Sequence, residues 1–395
     1  MSVAPPTRNP AVIVRAGVPL HNMSLYHRIR FAVGDPTAII ERIADGVSES
    51  ILIIRDIEME RARRAARADR ITSVADWAPR DGLSGDRETA TAQAVAECVR
   101  RTLDGASIPV IADRSLPAIY IEFLHRAGIR IECDLELGQA QRRRKDASEV
   151  EHLRRAQAAT EAAMRMACES VARAIPRRDG ALELDGTPLT SERLSAAIDG
   201  FLLQRGYSTP GNIVAGRKDG GDCHHFGSGE LRTQEPVIID IFPRDKHALY
   251  HGDSTRTVVN GPIPPEVARM HRAVVESKTA ATAATRAGAT GHDVHNATIT
   301  TLAAHGFARG IPAATDPPTR ITMQHGTGHG IGLDGHEPPL LDMNGPELLD
   351  RDVVTIEPGL YSRAFGGVRV EDMMLVTSRG CENLGTGLPE CLTWT

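Results

Sequence analysis

None of the six cysteines (98, 133, 168, 223, 381 and 391) forms a CxxC pair, and their dispersal offers no disulfide framework, so a reducing compartment, the cytoplasm, is expected. No apolar run comes near the roughly 18 residues of a membrane span. Met1 to Leu20 lacks a charged segment followed by an apolar one, so no export signal is expected either. An excess of one charge is also missing. Lys and Arg number 46 against 51 Asp and Glu, a net −5, which excludes the electrostatic footprint of a nucleic-acid or anionic-membrane binder. No internal repeat is strong enough to use. What remains is an ordinary globular composition, 41% hydrophobic and 25% charged, over 395 residues. At roughly 150 residues per domain that length suggests two or three domains.

The first part reads as a small α/β domain. Short β-rich runs (50–54 and 108–112) alternate with helical stretches (88–103 and 118–127). Around Arg142-Arg143-Arg144-Lys145-Asp146 the texture turns charged, and this segment is expected to be a solvated linker between domains at 1–145 and 146–395. Ser148-Glu149-Val150-Glu151 has the form of a capping box, opening a long helix whose apolar positions recur until Pro176. Further helices are predicted at 191–205, from Pro264-Pro265 to Gly288, and from about Asp293 to Gly306. Strands are predicted at 237–242, 249–259, 353–356 and 367–376. Strands and helices interleave without a regular βαβ repeat, so the second part is expected to be α+β.

Histidine is distributed unevenly: 11 of 15 fall between His224 and His336. The same half places acids in or beside apolar strands: Asp240 within Val237–Phe242, Asp253 ahead of Thr255 and Thr257, Glu357 after Thr355-Ile356, and Glu371 two residues from Arg369. A buried ionised carboxylate is costly unless it is paired or binds a metal. Singly, each acid is most simply a strand-end salt bridge; four beside a histidine cluster are not. His325 to Glu337 is rich in glycine, which permits close backbone approach. Its match to GxGxxG at 330–335 is rejected because Pro338-Pro339, not a helix, follows. Four carboxylates with one or two imidazoles and no thiolate form a hard donor set, suited to Mn²⁺ or a similar ion rather than structural zinc. Two such ions about 3.5–4 Å apart would activate a shared water and clamp a tetrahedral intermediate, which points to metal-assisted amide hydrolysis.

With these residues in place, the sequence resembles the pita-bread metallopeptidases: methionine aminopeptidase, prolidase and aminopeptidase P, with creatinase as a non-metal relative. The likeness spans about 148–390 and, more loosely, a creatinase-like N-terminal domain. It implies an α+β pita-bread catalytic domain preceded by a smaller α/β domain. It also implies two divalent ions (Mn, with Co, Zn or Fe as alternatives) on Asp240, Asp253, His329, Glu357 and Glu371. His336, seven residues past His329, resembles the histidine that holds the scissile carbonyl, and His224 or its neighbour His225 the substrate-contacting histidine upstream. Glu357 would also shuttle a proton, and Arg369 would orient Glu371 and its neighbours.

Two departures from the family pattern are visible. The aspartates lie thirteen apart rather than eleven, implying a longer hairpin loop. Leu340 and Met343 stand at the two places where prolidases carry a carboxylate-capturing arginine. The expected activity is therefore hydrolysis next to a free N-terminus, Xaa-Pro aminopeptidase-like, by a homodimer acting on peptides. Xaa-Pro dipeptidase, or a non-peptide hydrolase or lyase on the same fold, is the alternative. Cys223 is expected to be incidental, His325 to orient a ligand or lie in a loop, and His247, His251, His292, His295 and His305 to be surface or helix residues.

Overall fold

The structure is a computed structural model that describes residues 10–394. The chain separates into two compact units, dividing between Arg142 and Arg143. The first unit is built on a six-stranded mixed sheet of β1 (Ala11–Gly17), β2 (Thr37–Ala44), β3 (Val47–Ile54), β4 (Arg70–Ser73), β5 (Val110–Ala112) and β6 (Ile131–Cys133), in the order β4-β3-β2-β1-β5-β6. Sequence patterning identified only two of these strands. β1 is buried along its whole length, because both faces of the sheet are covered. Val12, Val14, Ile40 and Ile53 pack with α1 (Arg87–Leu103) and α2 (Ala118–Arg126), whereas Ile39, Leu52 and Ile54 pack with Leu25, Ile29 and Ala62 on the other face.

The second unit is α+β, as its patterning implied. α3 (Ala147–Arg173) opens with a capping box, but one residue pair earlier than predicted: Asp146 accepts from the Glu149 amide and Glu149 accepts from the Asp146 amide, both at 2.9 Å. Asp146 caps because its carboxylate accepts the third amide, while the Ser148 hydroxyl, already inside the helix, lies 3.4 Å from His152 Nε2. The solvated-linker expectation is also corrected. Arg143 forks the Asp352 carboxylate, with contacts of 3.0 and 2.6 Å, and Lys145 is only 2% exposed.

α4 (Ser191–Leu203) precedes an antiparallel sheet of β7 (Asn212–Ala215), β8 (Pro236–Ile241) and β9 (Ser254–Val259), with β8 central. The strand predicted from 249 begins only at Ser254, since Leu249 has φ 66° and the chain turns there. α5 (Pro265–Ala284) stops short of the glycine predicted to end it, whereas α6 (Gly291–Ala304) closes through His305 on Gly306 at φ 78°, as expected. Besides several short strands, the unit contains β10 (Gly328–Gly330), β11 (Glu337–Leu341), β12 (Val353–Ile356), β13 (Gly359–Ser362), β14 (Gly366–Arg369), β15 (Asp372–Thr377) and β16 (Gly380–Asn383). The run predicted as one strand at 367–376 is broken. β14 pairs with β13, β15 pairs with β12 and β16, and Val370 and Glu371 lie at the junction between the two sheets. No helix among the described residues is long and apolar enough to cross a membrane.

Candidate active site

A cavity of about 530 Å³ opens in the second unit, and Asp240, Asp253, His329, Glu357 and Glu371 all line it. Each arrives from a different stretch of backbone. Asp240 is the next-to-last residue of β8, opposite Thr255 of β9. Asp253 stands immediately before β9, its amide donating to Gln157 Oε1 at 3.0 Å. His329 is the middle residue of β10, between two glycines. A Cβ at Gly328 would lie 2.0 Å from Thr355 O, and one at Gly330 2.4 Å from Pro338 O, so only glycine lets β10 pass so close to its neighbours. Glu357 directly follows β12, and Glu371 sits in the break between β14 and β15.

The acids crowd one another in a buried setting. Burial, then the charges of Asp240 and Glu357, hold the Asp253 carboxyl well above its usual range. Burial, then Asp253, does the same to Glu371. Burial pushes Glu357 up to about 7, against the pull of the Arg369 guanidinium. Asp240 Oδ2 accepts from Arg369 Nη2 at 2.6 Å, while Asp240 Oδ1 is buried without a hydrogen-bond partner. His329 Nδ1 faces Gly330 O at 3.0 Å, which places the proton on Nδ1 and leaves Nε2 a lone pair directed at the acids, 3.5 Å from Glu357 Oε1 and 3.8 Å from Asp253 Oδ2. Ligand atoms of Asp253, His329 and Glu371 all lie within 4.8 Å of one another. An orphaned carboxylate oxygen, mutually repelling acids and an open imidazole nitrogen fit divalent cations.

The other predicted residues divide. His336 lines the cavity with its ring centroid 4.0 Å from that of His329, and burial depresses its pKa. His224 lines the cavity too, held at its backbone by Asp222. His225 is not among the lining residues; its Nδ1 accepts from the Gly227 amide and lies 3.7 Å from Asp219. Arg369 is 3% exposed and touches Asp240, Thr255, Tyr361 and the Cys223 carbonyl.

Sequence reading missed several neighbours. His251 lines the cavity and is largely buried, correcting its assignment to surface or helix; burial lowers its pKa to about 4. His295 is on a helix as expected, but fully buried, with Nδ1 2.9 Å from Thr327 Oγ1. Tyr361 was not singled out. Its oxygen accepts from Arg369 Nη1 at 2.8 Å and lies 2.7 Å from His325 Nε2, so a polar chain runs from His325 through Tyr361 and Arg369 to Asp240. The signal for it was weak, a tyrosine four residues after Glu357 on another strand.

The model of metallopeptidase family M24 matches residues 151–378. The chain belongs to that family. This M24 enzyme is 28% identical over 333 residues to the probable dipeptidase PepE of Mycobacterium tuberculosis, covering 83% of this chain and 78% of the relative. Among solved structures it is similar to the prolidase of Pyrococcus horikoshii (TM-score 0.72, 20% identity, 96% and 95% of the two chains). It is equally similar to the X-Pro aminopeptidase of Thermotoga maritima (TM-score 0.73, 20% identity, 97% of each chain). The fold is therefore the pita-bread architecture with its additional N-terminal domain, and the protein is a peptidase, a hydrolase of a metal-dependent family.

Proposed function

We propose that this enzyme is a Xaa-Pro aminopeptidase that releases the first residue of peptides with proline second, using two divalent ions, manganese foremost. Asp240, Asp253, His329, Glu357 and Glu371 would hold the ions. The observation that carries this reading is the convergence of those five side chains with His224 and His336 on one cavity. Once bound, the ions supply Lewis acidity and a water activated near neutral pH. The protein's own groups do the rest. Glu357, on the cavity wall among the other acids, is placed to pass a proton between the attacking water and the leaving amine. His336, kept neutral by burial, offers an N–H to the carbonyl oxygen as charge develops there. His224 contacts the peptide, with His225 behind it. Arg369 holds Asp240 in its orientation. Pro210, Ile213, Phe242 and Leu340 supply an apolar wall, suited to a proline ring.

Peptide length follows from charge. Among the described residues, Arg369 is the one Lys or Arg lining the cavity, and it is already engaged by Asp240. Leu340 lines the cavity as well and is apolar. A dipeptide's carboxylate would meet no free cation there, so Xaa-Pro-Yaa and longer peptides are the preferred substrates. The likeness to a probable dipeptidase favours the second reading, Xaa-Pro dipeptidase. Metal analysis with kcat/KM for Ala-Pro against Ala-Pro-Ala separates them: a ratio near one, or favouring Ala-Pro, selects the dipeptidase. No turnover across a Xaa-Pro panel with metal bound would indicate a small-molecule hydrolase or lyase. The proposal places the enzyme in the cytoplasm as a homodimer.

A further inference from the structure

His336 has no hydrogen bond to its imidazole among the described residues; its ring meets the His329 ring and the cavity. Its orientation must therefore come from the backbone on either side. The side leading from His329 is poorly suited to this, because Gly330, Gly332 and Gly335 make up half of the six intervening residues. The register of β10 against β11 also shifts between His329 and Gly330. On the other side stands Glu337, the first residue of β11, and it is pinned. Lys145 Nζ lies 2.5 Å from Glu337 Oε1, and the two side chains are 2% and 4% exposed. Lys145 is itself clamped: its amide donates to Arg351 O at 3.2 Å, and Arg351 Nε donates to the Lys145 carbonyl. The loop is shaped around the pair, since a Cβ at Gly332 would lie 2.6 Å from Glu337 Oε1 and 3.1 Å from Lys145 Cε.

A buried ion pair is poorly explained by stability, because well-packed apolar replacements of such pairs are often neutral or stabilising. What it provides is a fixed geometry at one point of the backbone. We infer that the Lys145–Glu337 pair sets His336 toward the scissile carbonyl, which makes Lys145 a positioning residue for the hydrolysis. The inference rests on the reading of His336 given above. Lys145 lies 191 residues from His336 in sequence and does not line the cavity, so it acts through Glu337.

The test uses the metal-loaded full chain and a double-mutant cycle with Ala-Pro-Ala. Lys145→Met is expected to lower kcat by about 10–100-fold, the scale of a misplacement near one ångström, with KM and metal content close to wild type. Lys145→Arg recovers most of the loss. In the His336→Ala background, Lys145→Met changes kcat by less than about 2-fold, because the group it positions is gone. If Lys145→Met does not fold, Lys145→Met with Glu337→Met replaces the pair by apolar side chains and is read in the same way. A wild-type kcat in the lysine variant, or its full factor persisting on top of His336→Ala, overturns the inference alone. A wild-type kcat in His336→Ala by itself overturns the inference together with the site reading beneath it.

Discussion

Leu340→Arg should convert the proposed aminopeptidase into a better dipeptidase. Leu340 pairs directly with His329 across β10 and β11, and directly opposed residues project from the same face with Cβ atoms about 4.5–5.5 Å apart. Leu340 also lines the cavity while 57% exposed, so a longer side chain enters without displacing a core. Asp342, the nearest rim acid in sequence, is already paired with Arg309 at 2.8 Å, which leaves the new guanidinium available to substrate. At about 4 Å and an effective dielectric of 20, its attraction for a dipeptide carboxylate is about 4 kcal/mol. Ordering a long side chain costs up to about 2 kcal/mol. The net of about 2 kcal/mol lies in the range for hydrogen bonds to charged groups and corresponds to about 30-fold in rate. The assay is kcat/KM for Ala-Pro and Ala-Pro-Ala on wild type and variant. Ala-Pro should gain about 30-fold while Ala-Pro-Ala, whose carboxylate lies a residue further out, moves less than about 3-fold. Equal gains for both peptides, or none for the dipeptide, would refute the argument that an unneutralised carboxylate limits dipeptide turnover.

Asp253→Ala and Glu371→Ala should each abolish activity and lower the bound metal by at least one equivalent per chain, as read by elemental analysis; near wild-type turnover in either sinks the ligand assignment. His336→Ala should keep its metal but lose about 10²–10³ in kcat, the usual cost of one oxyanion donor, and a loss of metal instead would mean the roles of His329 and His336 are exchanged. In the metal-free protein the raised carboxyls of Asp253, Glu357 and Glu371 bind protons more tightly folded than unfolded, so stability is highest on the acid side and is lost as pH rises from the ordinary carboxylate range through about 7. The metal-loaded protein should show the opposite slope, because ligands must be deprotonated to bind; parallel slopes in thermal melts with and without chelator would contradict the crowding described.

The acids and histidines that converge on the cavity were readable in the sequence to the extent that their chemistry is rare. An acid inside Val237–Phe242 or after Thr355-Ile356 violates the apolar pattern around it, and such violations point to function. His251 and Tyr361 violate nothing. Each sits in a turn or strand where its residue type is ordinary, and only the convergence of separate segments places His251 at the cavity and Tyr361 against Arg369 behind it. The charged run at 142–146 misled for a related reason: composition shows charge but not partners, and Asp352 and Glu337 lie about two hundred residues away. The helix expected to reach Gly288 stops at Ala284, and the amides of Ala287 and Gly288 bond instead to Thr377 and Leu348, whereas α6 closes on Gly306 at φ 78°, as its glycine implied. Periodicity also could not reveal that 367–376 serves two sheets, because both halves keep a strand's alternation across the break.

That break shows why the segment Asp253-Ser254-Thr255-Arg256-Thr257 carries its pattern. Asp240 lies on β8, whereas Glu371 lies between strands of two other sheets, and β9 joins them. The alternation of a strand assigns its side chains in turn. Thr255 donates to the Glu371 carboxylate at 2.7 Å, fixing the acid's rotamer. Thr257 bonds both the amide and the carbonyl of Arg369 at 3.0 Å, holding the backbone from which the guanidinium reaches Asp240. Arg256, pointing the other way and 1% exposed, donates to the Glu371 carbonyl at 2.5 Å and pairs with Asp372 at 2.7 Å, which Lys278 of α5 also contacts. Opposite charge is thus stored behind the strand, where it pulls Asp372 below its usual range, while the cavity face keeps its acids crowded and raised. Exchanging Thr255 with Arg256 would preserve composition and propensity yet place the guanidinium on the cavity face, where it would neutralise Glu371 in place of a cation. On the proposed ligand set, the order of residues on one six-residue strand therefore decides whether the acids are available to hold metal.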